Sequence, residues 1–202
     1  DYATLREQNP PGGGADEPGQ SVLFLIVDFQ RRLLGVLPSD EYGKYVSTEE
    51  GLRKAIDYLV GVIAERSPRG NLTPKQVRRR DWWSGPDIFV VVDNAHEFAG
   101  MGNALFPLKK LLANGRDTGL HVITSWRSGG VSKHIYNPNS LLVELKDLLT
   151  PALIGSGSKE EGVLFGVKPI TQKPGRGILV TNRGGQTELI QVPNLPAPDD
   201  DE

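Results

Sequence analysis

Short apolar runs separated by polar loops are the clearest pattern along this chain. Continuous runs occur at residues 21–29 (SVLFLIVDF), 87–92 (DIFVVV) and 120–126 (LHVITSW). They are rich in β-branched and aromatic residues, and runs of this length are typical of strands that are buried on both faces of a parallel sheet. We therefore predict three buried strands at these positions.

Between and after these runs, apolar residues recur every three or four positions, which predicts amphipathic helices. We expect Ser47 to be the N-cap of the first helix, with Glu50 completing a capping box. We expect the glycines of residues 115–119 to stop the second helix. The apolar positions are Leu52, Ile56, Leu59, Val60 and Ile63 in the first, Leu105, Leu108, Leu111 and Leu112 in the second, and Leu141, Leu142, Leu145, Leu148 and Leu149 in the third. Pro74 would open a further short helix or an extended connector.

The alternation of strands and helices predicts an α/β fold with a mainly parallel sheet flanked by helices. Two last strands, at residues 177–181 and 187–192, are separated by the turn sequence NRGG at residues 182–185, which predicts a C-terminal antiparallel β-hairpin. We assign residues 21–196 to this domain. Residues 1–20 are rich in proline, glycine and acids and are expected to be a linker or insertion, and residues 197–202 a disordered tail.

Composition and charge narrow the class of protein. The chain has 202 residues and a formal charge of -2, so it has no excess of positive charge to neutralise phosphates, and we expect no nucleic-acid partner. It has no cysteine, and His96, His121 and His134 are not clustered in the sequence, so we expect no metal site built from these residue types. No stretch of about 18 consecutive apolar residues occurs, so any membrane anchor would lie outside this sequence.

Asp93 closes the second apolar run and is the strongest candidate for chemistry. The segment from Ile88 to Arg127 has the strand, helix, strand order of the Walker B half of a P-loop nucleoside triphosphatase. A carboxylate at this strand end can hold the Mg²⁺ of a bound nucleotide, directly or through water. Many such enzymes place a second acid next, where this chain has Asn94. An amide cannot act as a base, so we expect weak hydrolysis; the competing interpretation is that Asp93 caps the next helix.

Ligands of open α/β sheets bind beyond the carboxyl ends of the strands, where Asp28, Asp93 and residues 125–127 would lie near one another. We assign Ser125 and Arg127 as sensor-like residues facing a γ-phosphate; an ordinary surface arginine is the competing interpretation. Residues 14–21 (GADEPGQS) have the spacing of a phosphate-binding loop. We reject them, because no strand precedes them and their acids would repel phosphate.

Histidine and tryptophan residues are weaker candidates. His121 lies inside an apolar strand, where a core histidine is commoner than a catalyst. The three tryptophans, Trp82, Trp83 and Trp126, could form a binding surface, but aromatic side chains more often pack in cores.

The sequence around the second and third strands resembles the FtsK/SpoIIIE family of motor ATPases. IFVVVDNAHEFA followed by LKKLLANGRDTGLHVITSWR is similar to that family's Walker B strand, helix and Gly-Arg-x-x-Gly-Leu-His strand. Residues at the positions of this pattern are Gly115, Arg116, Gly119, Leu120, His121 and Arg127. The sequence Gly175-Arg176-Gly177 resembles the family's Gly-Arg-Gly turn before the last strand.

Within that family, the chain is most similar to the last ATPase domain of the EccC proteins of type VII (ESX) secretion. Four segments resemble EccC in order: residues 24–35, 125–138, 153–169 and 174–192. The resemblance implies a P-loop fold, ATP and Mg²⁺ as cofactors of the intact domain, and a Walker A loop before the first strand. No such loop is recognisable here, so we expect that this N-terminal portion is missing and that the fragment itself binds no cofactor.

The resemblance also implies a role and partners. The domain would recognise the C-terminal signal of secreted WXG100/Esx heterodimers and regulate the motor, with weak or no hydrolysis. It would work beside other ATPase domains and a membrane complex at the cytoplasmic face of the bacterial membrane. Leu141, Leu145 and Leu148 are our candidates for the wall of a peptide groove, with plain core packing as the alternative. The alternative function is a DNA translocase motor of the FtsK type.

Overall fold

A computed structural model describes residues 22–36, 43–68, 70, 72–79, 82–100, 104–181 and 186–193 of the chain. The expected linker at residues 1–20, the rejected phosphate loop, the hairpin turn at 182–185 and the tail at 197–202 lie outside the described residues.

Strands and helices alternate along the described chain. The strands are β1 Val22–Val27, β2 Lys44–Val46, β3 Asp87–Val92, β4 Leu120–Thr124, β5 Ala152–Ile154, β6 Arg176–Val180 and β7 Thr187–Gln191. The α-helices are α1 Glu49–Arg66, α2 Pro74–Arg79, α3 Phe106–Leu112, α4 Gly115–Thr118, α5 Ser132–Ile135 and α6 Leu141–Asp147. Two 3₁₀ helices span Ala95–Gly100 and Lys159–Glu161.

The chain divides into two compact units. The first contains Asp1–Asp93 and Lys110–Thr124, and the second contains Asn94–Lys109 and Ser125–Glu202. The division falls within α3, and it separates Asp93 from Asn94 and Thr124 from Ser125.

The first unit is built on a parallel sheet with the strand order β2-β1-β3-β4. All of its strand pairs are parallel, with Val27 opposite Val92 and Val92 opposite Thr124. Val27, Val90 and Val92 are fully buried, as expected for strands covered on both faces. The predicted α/β fold with a mainly parallel sheet is therefore confirmed. The three-residue strand β2 was not predicted, because so short a segment carries no periodic signal.

Helix α1 confirms the predicted amphipathic pattern but corrects its N-cap. Thr48, not Ser47, caps the helix: its Oγ1 accepts a hydrogen bond from the Gly51 amide at 3.2 Å. Ser47 directly follows β2, so the helix begins one residue later than a capping box at Ser47 would require. The buried face of α1 is formed by Leu52, Ala55, Ile56, Leu59, Ile63 and Arg66.

The connection between β3 and β4 differs from the single helix that the sequence predicts. It contains a 3₁₀ helix, α3 and α4. Asn114 lies in a non-helical conformation between α3 and α4, and Gly115 begins α4 instead of ending the preceding helix. The real stop is Gly119, whose φ of 69° is left-handed and whose amide bonds to the Gly115 carbonyl.

The second unit contains an antiparallel sheet with the order β5-β6-β7. The pairing of β6 with β7 confirms the predicted C-terminal hairpin, and β5 adds a strand that was not predicted. Beside this sheet lies a cluster of buried residues from α5, α6 and nearby loops, against which Trp126, Ile154 and Phe165 pack. The cluster consists of Val131, Ile135, Leu142 and Leu164.

Candidate functional site

Asp93 directly follows β3, as the Walker B assignment requires. Its amide donates a hydrogen bond to the Val27 carbonyl at 2.9 Å, which extends the pairing of β1 and β3 by one step. Asp93 is half-buried, and this bond to the neighbouring strand fixes its backbone.

Asn94 makes a sharp turn after Asp93. Its φ of 50° is left-handed, a conformation that asparagine adopts more readily than most residues. Ser125 holds this turn, because its Oγ accepts from the Asn94 amide at 2.8 Å and its carbonyl accepts from the Ala95 amide at 2.9 Å. The backbone conformation thus gives a local reason for asparagine here, independent of catalysis. The structure brings Asn94 and Ser125 together within the second unit.

Residues 125–127 alternate in environment. Ser125 bonds to the turn after β3, and Trp126 packs against the buried cluster, with its ring 5.1 Å from that of His134. Arg127 is exposed. The sensor-like roles of Ser125 and Arg127 remain predictions.

Asp28 follows β1, the strand that pairs with β3, and it is fully buried. Its Oδ2 accepts from the Leu33 amide and from the Tyr45 hydroxyl, both at 2.7 Å. Burial alone would raise the pKa of this carboxyl, but the bonds from Leu33, Tyr45 and the amides of Arg32 and Arg31 outweigh it and lower the pKa. Asp28 therefore anchors the loop after β1 in its charged form.

The sequence predicted that Asp28 lies at the carboxyl ends of the strands, but it did not reveal that Asp28 anchors the loop after β1. Its hydroxyl partner, Tyr45, lies in β2, which carries no sequence signal. Its second oxygen, Oδ1, is buried without a hydrogen-bond partner among the described residues.

The leucines proposed for a peptide groove fall into two groups. Leu141 and Leu145 are buried in the second unit at 3% and 7% exposure, which favours the core-packing alternative for them. Leu148 is 41% exposed at the end of α6. It begins an exposed apolar segment that continues with Leu149 at 65% and Leu153 at 49%. We call residues 148–153 the leucine segment. Leu153 was not among our candidates, because it lies beyond the helical pattern.

The other sequence candidates have structural contacts. Trp82 Nε1 donates to the Arg66 carbonyl and Trp83 Nε1 to the Asp117 carbonyl, both at 2.8 Å, so these rings brace the first unit. His121 is not a core residue, since its side chain is 41% exposed. It stacks on Phe89 at 4.4 Å and lies 3.9 Å from the Asp87 carboxylate.

His96 and His134 are separated in sequence but close enough to interact in the second unit. Burial lowers the pKa of His134, and the neighbouring His96 and Lys133 lower it further. The Nδ1 atoms of both histidines are buried without a hydrogen-bond partner in the described part of the chain. Within that same part, no group of three or more His, Cys, Asp or Glu side chains could hold a metal ion.

Comparisons with known proteins give closely related sequences. The chain is 43% identical over 177 residues to the ESX-4 secretion system protein EccC4 of Mycobacterium tuberculosis, covering 87% of this chain and 14% of that protein. It is 36% identical over 174 residues to the ESX secretion system protein EccC of Thermomonospora curvata, covering 86% and 13%. The chain thus spans about one-seventh of the length of these relatives. No protein-family model matches it.

Solved structures give the same relationship. The cytoplasmic domain of the Thermomonospora curvata type VII secretion ATPase EccC matches with a TM-score of 0.82 and 35% identity, over 88% of this chain and 20% of that one. The structure of the same organism's EccC ATPases 2 and 3 in complex with a signal sequence peptide has the same TM-score and identity, covering 32% of that chain.

No helix among the described residues has the length and apolar character needed to span a membrane. The parallel sheet, the C-terminal hairpin and the level of identity all agree with the EccC ATPase domains. The chain belongs to the EccC family of type VII (ESX) secretion ATPases and corresponds to a C-terminal ATPase-domain segment of those proteins.

Proposed function

We propose that this chain is a substrate-recognition and regulatory domain of a type VII secretion motor. Its ligand would be the C-terminal signal of a secreted WXG100/Esx protein. The observation that carries this proposal is the 35% identity to a fragment of Thermomonospora curvata EccC that was solved with a signal sequence peptide. That similarity extends over 88% of this chain and 32% of the solved fragment, and it supports a role in signal recognition for this segment.

We infer that the leucine segment receives this ligand. A helical or extended signal with apolar anchors needs exposed apolar partners. Leu148, Leu149 and Leu153 meet this need, because each exposes 41% or more of its surface. Leu141 and Leu145 are buried, so they would pack in the core as part of α6 and would not contact the ligand.

A fluorescence titration tests this proposal. A labelled synthetic peptide with the C-terminal sequence of a WXG100 protein is titrated with the 202-residue chain, with Leu149→Ser as the test variant and Leu189→Ser as its control. Both leucines are 65% exposed in the second unit, so the two substitutions remove equal apolar surface. We expect Leu149→Ser to weaken binding roughly tenfold, as for the loss of one apolar anchor. Absence of binding by the unaltered chain at high micromolar concentration would contradict the proposal.

Nucleotide and Mg²⁺ use is general among ATPase relatives, and the residues here fit part of that role. Asp93 offers a carboxylate, a hard oxygen ligand of the kind Mg²⁺ takes beside phosphates. Bound Mg²⁺ would neutralise charge on the phosphates of ATP. We infer that Asp93 holds the ion and that Asn94, which cannot act as a base, leaves hydrolysis weak.

The sequence has no recognisable phosphate-binding loop. Among the described strands, β4 forms one edge of the parallel sheet, and Ile123 is 53% exposed there. We expect the 202-residue chain alone to release no phosphate from ATP; steady release in a coupled phosphate assay would overturn this part of the proposal.

The partners and location follow from the same proposal. We infer that the chain works beside other ATPase domains of one motor, at the cytoplasmic face of the cell membrane. Its homologues belong to ESX secretion systems, and the solved relative is a cytoplasmic domain. A DNA translocase is the second candidate function. The formal charge of -2 is unfavourable for it, and strongly salt-dependent DNA binding would be the result in its favour.

A further inference from the structure

Glu161 lies far in sequence from the loop that follows β4, yet its carboxylate binds that loop. We call residues 125–132 the β4 loop. Glu161 Oε1 accepts from the Gly130 amide at 2.7 Å. Its Oε2 accepts from the Ser132 hydroxyl at 3.2 Å and the Ser132 amide at 3.5 Å. Each carboxylate oxygen therefore has its own donor residue.

The Glu161 carboxylate accepts hydrogen bonds at the start of helix α5, as the side chain of an N-cap residue does in other helices. Helix α5 begins at Ser132 with Val131 at the N-cap, and no side chain of that residue can accept from the free amides. Glu161, which is far away in sequence, supplies the missing acceptor. The bond from Gly130 is the main cause of its lowered pKa, and Lys133 contributes as well.

Residues on both sides of Glu161 also contact the β4 loop. On one side is Gly157, at which a Cβ would lie 3.3 Å from that of Ser128, so the two backbones run close together. On the other side is Leu164, which is buried in one cluster with Val131. Residues 157–164 thus hold the β4 loop at three successive points, and Glu161 supplies the polar one.

We propose that Glu161 is a positioning residue that holds the β4 loop, and with it Ser125 and Arg127, in one arrangement. Trp126, between those two residues, packs on the cluster that contains Val131, so release of residues 130–132 would disturb it directly. The sensor role of Ser125 and Arg127 rests on the proposed function. The positioning is a property of the chain without ligand and can be measured separately.

The test compares Glu161→Met with Glu161→Gln, because both keep the length of the side chain. Methionine offers no oxygen acceptor, whereas glutamine keeps one oxygen of the two. Glu160→Met is the control, since this neighbour is exposed and donates its backbone amide to the Ser158 hydroxyl, a bond that the substitution keeps. The chain is labelled with 5-fluorotryptophan, and amide exchange is followed by NMR. Trp82 and Trp83, in the first unit, provide internal reference signals.

We expect Glu161→Met to shift or broaden the Trp126 fluorine signal and to accelerate exchange at Gly130 and Ser132 roughly tenfold, as for the loss of a charge-assisted hydrogen bond. Glu161→Gln should keep protection at one of these two amides and lose it at the other. The fluorine signals of Trp82 and Trp83 should stay unchanged in Glu161→Met, which separates a local change in the β4 loop from a general change of the fold.

Three results would overturn the proposal. The first is that Glu161→Met changes neither the Trp126 fluorine signal nor the exchange rates of Gly130 and Ser132. The second is that Glu161→Met and Glu161→Gln change them equally, and the third is that Glu160→Met changes them as much as Glu161→Met does. If Glu161→Met does not fold, the test rests on Glu161→Gln. The proposal is then overturned if the Gly130 and Ser132 amides of Glu161→Gln both exchange as slowly as in the unaltered chain. Failure of peptide binding would bear only on the proposed function, because no arm of this experiment contains a ligand.

Discussion

The two ends of the parallel sheet in the first unit are built in opposite ways. At the amino end of β3, Arg66 is buried, lies 4.3 Å above the ring of Trp83 and donates to the Thr118 carbonyl at 3.1 Å. Trp82 and Trp83 each donate an indole N–H to a backbone carbonyl. Charged and aromatic groups at this end are packed and satisfied, as in an element that only stabilises the fold.

The carboxyl end keeps unsatisfied and strained groups. Asp28 is fully buried, with one oxygen that has no hydrogen-bond partner among the described residues. Arg31, in the loop after β1, has a left-handed φ of 55°. Strain of this kind costs about 1–3 kcal/mol per residue and tends to occur at ligand sites. The contrast is therefore between an amino end whose charged and aromatic groups have protein partners and a carboxyl end that keeps an unpaired buried carboxylate oxygen and a left-handed residue.

The largest effect is expected from Gly119→Ala at the amino end. A Cβ there would lie 2.5 Å from Asp87 Oδ1 and 2.5 Å from Trp83 Cη2, and the φ of 69° already disfavours alanine. Clash and backbone strain together should cost about 3 kcal/mol or more of unfolding free energy. Urea denaturation followed by tryptophan fluorescence measures the loss.

Gly35→Ala is the matched control for that substitution. Gly35 follows β1 beyond the carboxyl end and has a φ of 77°, but nothing lies within 4 Å of its Cβ position. Only backbone strain remains, which should cost about 1 kcal/mol. Equal losses for the two variants would mean that packing at the amino end adds nothing, and the contrast between the two ends would fail.

Asp28→Asn tests the carboxyl end and should have an intermediate effect. It removes the charge that accepts from Leu33 and Tyr45, at a cost of about 1–3 kcal/mol near neutral pH. The folded pKa of Asp28 lies below its unfolded value, so its contribution is present above the unfolded pKa of about 3.9 and is lost as the pH falls through the folded pKa.

Urea denaturation of both proteins between pH 3 and pH 8 checks this expectation. The difference in unfolding free energy should be constant at neutral pH and narrow in acid. A difference that grows as the pH falls would contradict the assignment of a charged, hydrogen-bonded Asp28.

The sequence predicted the elements whose burial gives a repeating pattern. Apolar runs located β1, β3 and β4, and helical spacing located α1 and α6. These signals are local, because each element buries its own apolar side chains. The short strands β2 and β5 were missed, since three residues cannot display a period.

The candidate site was predictable only where its residues directly follow a strand. Asp93, Asn94 and Ser125 follow strands, so the chain order alone suggested them. The hydrogen bond from Tyr45 to Asp28 joins residues that are 17 positions apart, and the bond from Gly130 to Glu161 joins residues that are 31 apart. Nothing in the sequence near either residue of a pair indicates its partner. Such contacts are fixed by the tertiary fold, which pattern analysis does not supply.

The smallest and most specific effect is expected from Tyr45→Phe. This change removes one donor from the Asp28 carboxylate and leaves the Leu33 amide in place, so it should cost about 1 kcal/mol near neutral pH. Without the hydroxyl the folded pKa of Asp28 should rise toward its usual range, and the loss of stability in acid should begin at a higher pH. Tyr58→Phe, at a tyrosine of α1 that is 76% exposed, is the control and should change neither quantity.

A double-mutant cycle of Tyr45→Phe with Asp28→Asn then separates this bond from general packing of the tyrosine ring. If the hydroxyl acts through the carboxylate, Tyr45→Phe should cost less in the Asp28→Asn background than in the unaltered chain. If the two losses simply add, the hydroxyl stabilises the fold without Asp28. The loop after β1 would then be held by the backbone amides alone, and the carboxyl end would depend on one anchor fewer than its geometry indicates.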